Sequence, residues 1–157
     1  MSDPIAYFLT WSCYGTWLHG DDRGSTDCEN NTHDDPYLSR NDRRRDWETA
    51  LLANPAVVLS GRQRQLVYET IVAHCDVRGW ELHAHNVRTN HVHVVVSCGE
   101  VAPERVMVEF KSWCTRRLRE SGLVTRQQRM WTEHGSTKYL WKESQLQAAI
   151  GYVTECQ

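Results

Sequence analysis

Short apolar runs and helical apolar stripes alternate along the chain, and their order predicts its elements. Ile5–Ser12 is β-branched and aromatic and predicts a strand. Leu66, Val67, Ile71, Val72 and Cys75 fall at helical spacing, so Ser60–Arg78 predicts an amphipathic helix ending near Gly79. Trp80–Val87 then alternates like a strand, residues 88–90 make a tight turn, and His91–Cys98 predicts the second arm of a hairpin. Pro103 suits a first helical turn, and Met107, Phe110, Cys114 and Leu118 form an apolar stripe that closes before Gly122. A further strand is expected around Thr137–Trp141, then a helix over Glu143–Gln157 with Leu146, Ile150 and Val153 inward. This order predicts an α+β fold: a ferredoxin-like antiparallel sheet with helices on one face, plus a C-terminal helix bearing Tyr152. Residues 1–157 are expected to form one domain, with a long loop at about 13–47 where Gly, Asp, Asn, Ser and Arg crowd without periodicity.

Composition narrows the class. At 157 residues, with 40% hydrophobic and 24% charged, the chain can bury a real core and is not expected to be disordered. No segment approaches the roughly 20 apolar residues of a membrane helix. The N-terminus lacks a basic region and reads as a strand rather than a signal peptide. Six cysteines without a Cys-x-x-Cys pair argue against a zinc knuckle, and the expectation is reduced thiols in the cytoplasm.

Charge is more informative in its distribution than in its sum of −2. Between Gly20 and Tyr37, six acids face Arg23 alone; between Val101 and Arg129, seven bases face three acids. A basic face can therefore coexist with an acidic total, although solvated surfaces have the same signature. Arg105, Lys111, Arg116 and Arg119 fall away from the apolar stripe by the 100° rule. Seven tryptophans is a high count; some will be core, and an exposed one would suit stacking on nucleobases.

The sharpest local feature is His91-Val92-His93. Residues two apart on a strand share a face, so both imidazoles project together while Val92, Val94 and Val96 pack into the core. Two convergent imidazoles make half a metal site or a phosphate clamp. On residues alone, a solvent-facing pair on an amphipathic strand remains open. So does a packing role for Tyr152, which lies about 100° from the Leu146/Ile150/Val153 stripe. A free phenol, with pKa near 10, is a poor nucleophile without help.

Four stretches carry a resemblance: Tyr7–Gly24, Leu82–Ser97, Trp113–Leu123 and His134–Gln157. Together they resemble the single-tyrosine HUH transposases, in particular the REP-associated tyrosine transposases. The resemblance implies DNA nicking and transfer through a 5′-phosphotyrosine, with Tyr152 rather than Tyr139 as nucleophile. It implies Mg²⁺ or Mn²⁺ held by His91, His93 and a polar side chain after the tyrosine. In many relatives that ligand stands four residues on, where this chain has Cys156, a soft donor unsuited to Mg²⁺. Gln157 is the expected replacement and Glu155 the alternative. The expected partner is single-stranded DNA with hairpin structure, contacted by Lys111, Arg116, Arg119, Trp17, Arg88 and Asn90; a homodimer is compatible with the family. Two other readings stay open. One is a cleavage-dead binder of structured single strands. The other is a histidine-triad nucleotide hydrolase, whose third position is Val95 here.

Overall fold

The computed structural model describes residues 3–16 and 56–155, and Trp17, Gln157 and most of the expected 13–47 loop lie outside them. Among the described residues seven elements follow in the order β1 (Ala6–Cys13), α1 (Gly61–Arg78), β2 (Glu81–Val87), β3 (His91–Ser97), α2 (Pro103–Glu120), β4 (Trp131–Leu140) and α3 (Glu143–Glu155). The four strands form one antiparallel sheet in the order β2-β3-β1-β4. That is the expected ferredoxin-like arrangement.

The sheet is dressed differently on its two faces. Tyr7, Leu9 and Trp11 of β1 alternate onto the same side as Val92, Val94 and Val96 of β3, their partners in register. There they meet Val67, Ile71 and Cys75 of α1 and Val106, Met107, Phe110, Cys114 and Leu118 of α2. Trp11 stacks on Phe110 at 6.0 Å and meets Trp131 edge-on at 6.2 Å. The opposite face carries a smaller cluster, in which Ala6, Ala84, Val95 and Leu140 meet Leu146, Ala149 and Val153 of α3.

Local signals account for the boundaries. Ser60 caps α1 through a reciprocal pair of hydrogen bonds with Gln63, and Gly79 ends the helix at φ 73°. Residues 56–60 run beside the hairpin turn, where the Leu59 amide donates to the Thr89 carbonyl and Val57 and Leu59 are buried. Cys13 belongs to β1, and its amide donates to the Asn90 carbonyl. Four cysteines (13, 75, 98 and 114) are free and buried.

Three sequence expectations need correction. Strand β4 begins at Trp131, well before Thr137. Its early residues are polar and mostly exposed because it is an edge strand held by backbone pairing with β1. The register shifts between Trp11 and Cys13, so that Trp11 faces Gly135 while Cys13 faces Trp131. Gly135 is required there, since a Cβ would collide with the Thr10 carbonyl and the Met107 thioether. Val72 is exposed on the outside of α1. On α3, Ala149 is buried, whereas Ile150 is only partly covered.

Candidate active site

The face beneath α3 is the one onto which β3 turns its two histidines. Register places Asn86, His93, Thr10 and Ser136 abreast across four strands, with His91 opposite Ser12 one step along. Only 2% of His93 is exposed and His91 is half-buried, so the pair is not a solvent-facing decoration. The two imidazoles lie 4.7 Å apart at 79°.

Each ring is fixed through Nδ1. His91 Nδ1 is 2.8 Å from Asn90 Oδ1, which can only accept, so Nδ1–H is the donor. His93 Nδ1 is 2.9 Å from the Thr10 hydroxyl, which can accept from Nδ1–H in the same way. No hydrogen bond engages either Nε2 among the described residues. Burial first, then the positive field of Arg88, holds His91 down at about 4. Burial pushes His93 to about 3, with His91 and Arg88 adding to it. Both rings are therefore neutral at pH 7, the state in which an imidazole can donate a lone pair.

Tyr152 reaches this centre within its own chain. Its ring stands perpendicular to that of His93 at 5.7 Å and tilts against Phe8 at 5.8 Å. Two features seat α3 there. Leu146, Ala149 and Val153 bury its apolar side, and the Asn86 amide donates to the Val153 carbonyl at 3.4 Å. Tyr139 sits on the other side of the sheet in edge contact with Tyr7 at 5.4 Å.

The structure separates the remaining expected residues. Asn90 belongs to the centre through His91, and Arg88 acts on both rings through its charge. Glu155 is exposed, and among the described residues no carboxylate or thiol joins the two histidines in a group of three metal-capable side chains. Thr10 and Asn86 belong to the site but were missed in the sequence, because only strand register shows which residues of β1 and β2 lie beside His93.

Lys111 has a different occupation from the expected one. Its ammonium donates to the carbonyls of Thr132, Glu133 and His134 at 3.0, 3.4 and 3.4 Å. These three residues lie between the β4 positions that pair with Cys13 and Trp11. Burial lowers the lysine pKa while Glu133 works against the shift. Lys111 is thus a clasp for the bulged strand, with all three protons engaged. Arg116 and Arg119 remain at the surface. Arg116 pairs with Glu120 and covers the Trp113 ring at 4.9 Å, and Arg119 donates to the Gln128 carbonyl. Together with Arg126, Trp131 and Glu133 they line an open groove of about 790 Å³ between α2 and β4.

Comparison with known proteins adds an independent line. The family described as "Transposase IS200 like" matches residues 53–155. Among solved structures, a REP-associated tyrosine transposase bound to a REP hairpin superposes with a TM-score of 0.53 at 9% identity. The match covers 97% of this chain but 66% of that one, so about a third of the relative has no counterpart here. A Deinococcus radiodurans R1 protein assigned as a transposase gives a TM-score of 0.54 at 13% identity, covering 94% of this chain and 88% of the other. At these identities the two structures speak for the fold alone. No curated protein matches the sequence.

Proposed function

Given that the chain belongs to the IS200-like transposase family, we propose that it nicks and rejoins single-stranded DNA through a covalent bond to Tyr152. The observation that carries this reading is the perpendicular seating of the Tyr152 ring against buried His93, with half-buried His91 beside it and both rings neutral.

The phenol attacks phosphorus in line. The Tyr152 Oη–P bond forms and the P–O3′ bond breaks; the phenolic proton is released and the departing 3′ oxygen takes one up. The product is a 5′-phosphotyrosine and a free 3′-OH, and attack by a 3′-OH on that linkage rejoins a strand without external energy. Phe8 and the α3 contacts limit the motion of the phenol, so that much of the ordering cost is met by the fold.

Two neutral rings carry no charge to offset a phosphodiester. Their Nδ1 atoms are tied to Asn90 and Thr10, which leaves two Nε2 donors that fit part of the shell of a divalent cation. When bound, Mg²⁺ or Mn²⁺ would polarise the phosphate and offset its developing charge. His91 and His93 would hold it, with Gln157 as the proposed third protein donor. Arg88, Arg116 and Arg119 are proposed phosphate contacts, and Trp17 a stacking residue for a substrate with hairpin structure. Lys111 is withdrawn from that set, since its protons serve β4.

The test is incubation of the full chain with hairpin-bearing single-stranded DNA and Mn²⁺ or Mg²⁺. A covalent adduct to the 5′ side is expected, absent from Tyr152→Phe while that variant still binds. An adduct that survives the substitution refutes the assigned nucleophile. Tight DNA binding with neither adduct nor Mn²⁺ uptake in calorimetry selects the cleavage-dead binder instead.

A further inference from the structure

A second feature, away from the two histidines, is an exposed aromatic pair at the end of β4. At the end of β4 the sequence reads Lys138-Tyr139-Leu140-Trp141-Lys142. Leu140 is buried, but Tyr139 and Trp141 are 44% and 48% exposed. Their rings stack on each other at 5.8 Å and 21°. Burying neither ring, this contact adds little to a core, yet it is fixed from both sides. Tyr7 meets Tyr139 edge-on at 5.4 Å, and the Tyr7 hydroxyl is itself anchored on the Val101 carbonyl at 2.8 Å. The amides of Trp141 and Lys142 both donate to Gln145 Oε1, at 2.7 and 3.1 Å, which locks the turn into α3.

We propose that Tyr139 and Trp141 form a preset stacking platform for unpaired DNA bases, with Lys138 and Lys142 beside the phosphates; this rests on the reading of the chain as a single-strand nickase. Bases need a flat aromatic surface and the backbone needs cations close by, and this short run supplies both. Stacking of this kind tolerates any base, so the platform grips a strand without reading its sequence. Its position is pertinent, since β4 is an edge strand and Lys138 pairs with Phe8 on the face that carries the histidines. Tyr139 shows its ring on the reverse face beside Tyr7, so a strand crossing this edge passes from the platform to the catalytic face. From the start of α3 to Tyr152 is roughly 14 Å along the helix, a span of a few nucleotides.

The experiment compares the full chain with Trp141→Ala and Trp141→Phe by fluorescence anisotropy. The probes are a labelled deoxythymidylate oligomer and an abasic strand of equal length. Trp141→Ala is expected to weaken thymidylate binding about tenfold, Trp141→Phe to restore most of it, and both variants to bind the abasic strand as the parent does. Equal thymidylate affinity in Trp141→Ala and the parent overturns the platform, as does an equal loss on the abasic strand. A lowered melting temperature with unchanged affinity overturns it too, by assigning the ring to folding. Formation of the Tyr152 adduct is scored separately. Unchanged binding with a normal adduct removes the platform and leaves the nickase; a base-dependent Trp141 effect without any adduct does the reverse.

Discussion

The two faces of the sheet are built from the same strands and do opposite things. Beneath α1 and α2, β1 and β3 contribute Leu9, Trp11, Val92, Val94 and Val96, and a closed aromatic and aliphatic core results. One residue along in each strand, the other face has Thr10, His91 and His93, and α3 covers it with a small cluster of Ala, Val and Leu. The difference shows how a period of two divides labour. One set of side chains makes the sheet stable enough to carry the other set, which buries polar rings at a cost to folding. The stable face explains why imidazoles can be held neutral and oriented before any ligand arrives.

Substitutions on the two faces should separate stability from chemistry. On the core face, Phe110→Ala removes a ring that is 1% exposed and in contact with Trp11 and Trp80. It should cost about 3–5 kcal/mol in urea unfolding. On the other face, Thr10→Val keeps the volume but removes the hydroxyl that holds His93 Nδ1. Nicking should fall about 10–100-fold, beyond the about 1–3 kcal/mol of stability lost with the orphaned imidazole N–H; a normal nicking rate in the destabilised variant would make Thr10 a folding residue.

A smaller effect tests the helix side at its rim. Glu109 accepts from His74 Nε2 at 2.8 Å and from Arg78 and Arg105 at 3.2 and 3.3 Å. Its burial favours protonation, but the His74 hydrogen bond and the charges of Arg78 and Arg105 outweigh this and hold its pKa below the ordinary value. A carboxylate depressed in the folded state stabilises above its unfolded pKa, and the contribution fades as pH falls through the folded one. Glu109→Gln should therefore cost about 1 kcal/mol at pH 7 and nothing below the folded pKa. A penalty that persists in acid would mean that shape, not charge, is at stake.

Much of this division can be read in the sequence, because period-two and helical patterns report which side chains are hidden. His91, His93 and the inward Val92, Val94 and Val96 follow from alternation, and Gly79 marks the end of α1 by its left-handed backbone. The pairing of Thr10 and Asn86 with His93 does not follow, since register is a relation between strands distant in sequence. Helical angle placed Lys111 off the apolar stripe but could not show the bulged β4 carbonyls waiting there. The early half of β4 hid itself for the same reason: a bulge and the Lys111 ammonium hold Thr132–His134, and neither leaves an apolar pattern.

The most direct measurement is peptide mapping by mass spectrometry after the full chain has met a hairpin-bearing single strand with Mn²⁺. One nucleotide-modified peptide is expected, carrying its mass on Tyr152. A modification on Tyr139 or any other side chain, in a protein that nicks normally, would contradict it.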